Sequence, residues 1–96
     1  MIKLKELTLN MKIKFCRKTG SAYFIKKNNC NYLVPSAYKK LFDMEKEPIR
    51  NGELFFVTNI EVLDKRNRQI KISAIRRSDG SLVCFREEDI GYFVTI

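Results

Sequence analysis

Between positions 7 and 15 every second residue is apolar, Leu7, Leu9, Met11, Ile13 and Phe15, while Thr8, Asn10, Lys12 and Lys14 between them are polar. Successive side chains of an extended chain point to opposite faces, so a period of two describes a β-strand with one dry and one wet face. Turn chemistry follows in Lys18-Thr19-Gly20-Ser21, and 22–26 reads as a returning strand. The expectation is a hairpin between Met11 and Lys27 whose outer face is basic through Lys12, Lys14, Lys18, Lys26 and Lys27.

Asn28-Asn29-Cys30-Asn31 is a loop signal, and Tyr32-Leu33-Val34 is extended because the residue ahead of Pro35 avoids helical angles. Ser36 can cap a helix whose apolar residues Ala37, Tyr38, Leu41, Phe42 and Met44 follow three-to-four spacing, which predicts one helix at 36–45 with a stop at Pro48. After an Asn51-Gly52 turn, 53–63 is rich in aromatic and β-branched residues and predicts a central strand. A polar loop at 64–68 leads to a strand at 70–76, and Ser78-Asp79-Gly80-Ser81 predicts a tight turn into a strand at 82–86. One helical turn at 87–90 and a terminal strand at 92–96 complete the chain.

With 96 residues the chain holds one core, so 1–96 is expected to be a single domain. Its composition narrows the chemistry. There is no histidine, and Cys16, Cys30 and Cys84 are far apart with no CxxC pair, so no metal site and no cofactor are expected. Cys16 and Cys84 lie in apolar runs and read as small buried hydrophobes, whereas Cys30 lies in the polar loop. An odd set of free thiols suits a reducing, cytoplasmic setting. The first residues lack a signal-peptide core, and no apolar run approaches the roughly 20 residues of a membrane span, so no membrane partner is expected.

The order of elements from 53 to 96 (long strand, loop, strand, tight hairpin, one helical turn, brief closing strand) resembles the ending of SH3-like small β-barrels. That resemblance implies a small barrel with an inserted helix at 36–45. The tryptophan pair and acidic loop of proline-peptide binders are missing, so that ligand class does not carry over. The expected fold class is mainly β, a small SH3-like barrel or a strongly bent antiparallel sheet with one short helix. The alternative is α+β, one helix packed on an antiparallel sheet.

Lys and Arg number 19 against 11 Asp and Glu, a net charge of +8 that depends on no imidazole. Such a field attracts polyanions, either nucleic acid (DNA or RNA) or an acidic protein surface. The candidate nucleic-acid-binding residues are Arg66, Arg68, Arg76 and Arg77, with Lys18, Lys26 and Lys27 secondary, all at hairpin ends where loops of a small barrel can converge. Against that stands the plain reading that they point apart and solvate the hairpin ends. Exposed rings on a basic sheet can stack bases, and Phe55, Tyr23 and Tyr92 are the candidates. Glu87-Glu88-Asp89 suits the first turn of a short helix better than a metal site. With no histidine, phosphate loop or nucleophile elbow, the expectation is a non-enzymatic binding module. Two alternatives stand beside it. One is a protein-interaction module, such as a phage or mobile-element regulator or inhibitor docking on an acidic partner. The other is a small histidine-free ribonuclease toxin.

Overall fold

The computed structural model describes residues 4–16, 22–35 and 45–96. Among these residues eight strands form one sheet: β1 (Lys12–Phe15), β2 (Ala22–Lys27), β3 (Cys30–Pro35), β4 (Glu47–Pro48), β5 (Leu54–Asp64), β6 (Gln69–Arg76), β7 (Leu82–Arg86) and β8 (Phe93–Thr95). Their lateral order is β4-β2-β3-β7-β6-β5-β1-β8, curled into a half-barrel, and the chain is mainly β. Helix among the described residues is limited to the 3-10 turns Leu4–Glu6 and Glu87–Tyr92. The helix expected at 36–45 falls on 36–44, outside the described residues.

β5, β6 and β7 form the meander expected of them. Asp64 closes the first connection by accepting the Arg66 and Asn67 backbone N–H groups at 2.9 and 3.4 Å and the Asn67 side-chain amide at 2.8 Å. At the second, Gly80 adopts a φ of +72°, where a side chain would be strained, and Asp79 accepts the Ser81 N–H at 2.8 Å. Two expectations need correction. β1 does not form a hairpin with β2; it pairs with β5 on one side and β8 on the other. β2 pairs with β3 instead, because Asn28 and Asn29 take φ of 52° and 61°, the left-handed pair that closes a two-residue hairpin. Nor is the sheet wholly antiparallel. β3 and β7 run parallel over two register pairs, Asn31 with Val83 and Tyr32 with Cys84.

The alternating residues of each strand meet inside the curl. Ile13, Phe15, Phe24, Leu33, Phe55, Val57, Ile72, Ala74, Val83, Phe85 and Phe93 form one buried cluster. Phe93 lies at its centre, with ring centroids 5.7 Å from Phe15, 5.7 Å from Phe55 and 4.6 Å from Phe85. The first two pairs meet edge to face and the third is stacked, and aromatic pairs in either arrangement are worth about 0.5–1.5 kcal/mol beyond area burial. Opposite walls of the curl are joined by Arg76, which is buried although charged. Its two terminal nitrogens donate to Glu47 of β4, each at 3.0 Å, and its Nε donates to Glu53 at the start of β5. The guanidinium also lies over the Phe24 ring, 5.3 Å from its centroid. Since β2, β3 and β7 lie between β4 and β6 in the sheet, this bond crosses the interior and clasps the curl.

The thiols are distributed differently from the expectation. Cys84 is buried, but Cys30 is buried too, as the first residue of β3, and Cys16 is exposed just past the end of β1. Burial, followed by the neighbouring Cys84 thiol, pushes the Cys30 thiol up to about 12. Because the thiolate is the nucleophile, native protein at pH 8 should take up one equivalent of an alkylating reagent, at Cys16. Cys30 and Cys84 should react only once denaturant is added, and peptide mass mapping reads both steps.

Candidate nucleic-acid interface

The first residues to locate are the cations named from the sequence. Arg76 is removed from any solvent-facing cluster. As residue 76 continues the inward phase of Ile72 and Ala74, its charge is held by carboxylates, and the bonds to Glu47 and then Glu53 make the guanidinium still harder to deprotonate. Arg66 and Arg68 are exposed in the β5–β6 connection, with Arg68 3.6 Å from Glu87. Arg77 is exposed beyond the opposite end of β6. An eight-residue strand spans roughly 26 Å, so these arginines belong to two separate surfaces. Lys26 and Lys27 are exposed beside the β2–β3 turn. That turn lies near the β6–β7 turn, since Asn31 donates to the Ser81 hydroxyl at 3.2 Å, and so at Arg77's end of the sheet. Lys18 lies outside the described residues.

The expected stacking rings fare unevenly. Phe55 is wholly buried, with its ring 5.9 Å from Phe24 and 5.7 Å from Phe93, and is corrected from platform to core. Tyr92 is half-buried and stacked on Phe15 at 5.9 Å. Tyr23 is half-buried, with the Lys46 ammonium 5.9 Å from its centroid. One of Phe55 and Phe56 must face outward on a strand, and the outward ring is Phe56.

Phe56 stands within a small array on the outer face of β1, β5 and β6. Since Ile13 and Phe15 are buried, Lys12 and Lys14 project outward from β1. Lys12 is the register partner of Phe56, and Phe56 in turn pairs with Ile75 and Ile75 with Leu82. Lys14 pairs with Leu54, whose carbonyl accepts the Arg77 N–H at 3.0 Å. Two adjacent rows thus read Lys12–Phe56–Ile75–Leu82 and Lys14–Leu54–Arg77. At a strand spacing of about 4.8 Å, Lys14 and Arg77 have backbones roughly 10 Å apart. Among the described residues no carboxylate lies within ion-pair distance of Lys12, Lys14 or Arg77.

This array sets a half-buried ring beside three cations that no carboxylate among the described residues pairs with. Sequence reading had placed Lys12 and Lys14 on a basic outer face but not beside a ring. Phe56 was missed because the β5 pattern is interrupted by a register shift between Val57 and Asn59. No helix among the described residues is long and apolar enough to cross a membrane, and these residues contain no cluster of three or more metal-ligating side chains. Comparison with known protein families, with curated proteins and with solved structures finds no match to this chain.

Proposed function

We propose that the chain is a non-enzymatic nucleic-acid-binding module that receives a single strand across the outer face of β1, β5 and β6. The observation that carries this reading is the half-buried, outward-facing Phe56 flanked by Lys12, Lys14 and Arg77, none of them paired with a carboxylate among the described residues. Phe56 would stack on a base, which is worth about 1–3 kcal/mol and is indifferent to sequence. The cations would meet successive phosphates and release their counterions.

Fluorescence anisotropy with a labelled single-stranded oligonucleotide tests the reading. Three phosphate contacts predict a slope of about −2 for log affinity against log salt, and Lys12→Ala, Lys14→Ala and Arg77→Ala should each make it shallower by about 0.7. Phe56→Ala should weaken binding by about tenfold with the slope unchanged, because it removes stacking and no charge. Arg66→Ala, at the far end of β6, should change neither. Absence of association at low salt would sink the reading, and affinity insensitive to all four interface variants would move the site elsewhere.

A second reading draws on the apolar continuation of the first row through Ile75 to Leu82, which is 40% exposed. An apolar strip bordered by lysines also suits a protein partner whose acidic residues surround an apolar centre. A pull-down from nuclease-treated lysate separates the two: a partner that survives treatment favours protein, and one that vanishes favours nucleic acid.

A further inference from the structure

The second half of β5 carries backbone groups that the sheet leaves unused. β5 pairs with β6 along its length, but on its other side β1 covers only 54–56. Two further bonds, from the Val57 N–H to the Met11 carbonyl and from the Asn10 N–H to the Val57 carbonyl, end that ladder. At 58–64 no strand lies on this side among the described residues. The hydrogen-bond phase tells which groups face the open edge. The Arg76 N–H donates to the carbonyl of Ser81, just before β7, so Arg76 points toward β7. Counting by twos, Ala74 and Ile72 point the same way, while Ser73 and Lys71 point toward β5. Their partners Asn59 and Glu61 therefore bond with β6, and the N–H and C=O groups of Ile60 and Val62 point to the open side.

The side chains along that edge alternate in chemistry. Ile60 is the register partner of the buried Ile72, and Val62 that of Ile70, so both lie on the inner face of the curl. Glu61, opposite Lys71, lies on the outer face. Val62 and Leu63 are 53% and 56% exposed, as befits a strand end with no neighbour on one side. The first half of the same edge already holds a strand of matching pattern. β1 runs antiparallel to it, with Ile13 and Phe15 inward and Lys12 and Lys14 outward.

We propose that the open edge of β5 at 59–63 is a docking site for an extended peptide that carries a lysine or arginine between two apolar residues and adds to the sheet as an antiparallel strand. Its apolar residues pair with Ile60 and Val62, exchange four backbone hydrogen bonds with them and cover Val62. Its cation stands opposite Glu61, so that charge alternates in sign across Lys71, Glu61 and the peptide. The same pairing preference disfavours a second copy of the chain. The self-pairing register that uses all four backbone groups, Ile60 of one copy with Val62 of the other, sets the two Glu61 carboxylates directly against each other.

Amide NMR and hydrogen exchange on isotopically labelled protein test the proposal with three blocked peptides: acetyl-STVKVTS-amide, the same peptide with glutamate in place of lysine, and the lysine peptide N-methylated at both valines. The lysine peptide should give saturable shifts at 59–63 and slow the exchange of the Ile60 and Val62 amides. The Glu61 amide should keep its rate, because its N–H already faces β6. The glutamate peptide should bind about fivefold more weakly, since it sets like charges opposite each other. The N-methylated peptide should give no saturable shift, because it keeps every side chain but loses two of the four backbone bonds. Glu61→Lys, an exposed position off the core, should reverse the order of the first two peptides. Shifts that do not saturate, equal affinity for the lysine and glutamate peptides, or Ile60 and Val62 amides already protected in the free protein would overturn the proposal. Protection that grows with protein concentration in the absence of peptide would also overturn it, by giving the edge to a second copy of the chain.

Discussion

Arg76→Met should destabilise the chain by about 3–5 kcal/mol, measured as a fall in the urea midpoint at pH 7, because it leaves a buried carboxylate without its counter-charge. Glu53 is the group left behind. Its side chain is 9% exposed, Oε1 accepts from Arg76 and from the Ser78 hydroxyl at 3.2 Å, and Oε2 has no partner among the described residues. Against a typical stability of about 5–15 kcal/mol, such a loss would leave a marginal fold. The double variant Arg76→Met/Glu53→Gln should recover much of it, since an apolar residue and a neutral amide no longer ask the interior to hold a lone charge. Arg76→Lys should fall between, because one ammonium cannot replace two parallel bonds to Glu47 and a third to Glu53.

The clasp also sets the acid limb of stability. Hydrogen bonding to Arg76 holds the Glu47 carboxyl below its ordinary value of 4.5. A carboxyl depressed in the folded state contributes stability that is fully present above 4.5 and is lost as pH falls through its folded value. Asp79 has the same sign, lowered from 3.8 first by the Ser81 hydroxyl and then by the Ser81 N–H. Asp89 has the opposite sign: burial raises it above 3.8, so its protonation as pH falls favours the fold. Wild-type protein should therefore lose stability below about pH 4.5 through Glu47 and Asp79. Arg76→Met should show a shallower acid limb because its Glu47 has already lost the guanidinium. A limb of equal steepness in the two proteins would show that Glu47 does not supply it.

The inward position of Arg76 was legible in the sequence, since β6 alternates Ile70, Ile72 and Ala74 and residue 76 falls on the same face. The arginine-arginine pair suggested a surface cluster instead, and charge type prevailed over phase. Phase alone misleads in β5. Counting back from Val62 and Ile60 by twos places Phe56 inside and Phe55 outside, and the register shift between Val57 and Asn59 reverses that order. An extra residue on one strand exchanges the two faces on either side of it. The β6–β7 hairpin was legible because Asp79-Gly80 acts locally. The partners of β1 were not, because alternation says which face of a strand is dry and nothing about what lies beside it.

Phe93→Ala should be comparably severe, at about 3–5 kcal/mol, and its effect should be spatially uneven. Phe93 belongs to the three-residue edge strand β8, whose ladder runs only to β1. The Phe93 side chain anchors that strand by inserting its ring among Phe15, Phe55 and Phe85. Without the ring, β8 keeps only three register pairs, and the adjoining bond from the Cys16 N–H to the Tyr92 carbonyl at 2.8 Å has little to hold it. Amide hydrogen exchange should therefore accelerate most in β8, at Cys16 and along the β1 edge that β8 covers. The β6–β7 ladder, which has five register pairs, should change only by the global loss of stability. β1 also carries Lys12 and Lys14, so under the proposed function the variant should lose oligonucleotide affinity even at temperatures where it remains folded. Phe24→Ala, which opens a cavity on the opposite wall, should reduce stability without that selective loss of affinity. If both variants weakened binding equally, affinity would follow global stability, and the lysines of β1 would have no special claim to the interface.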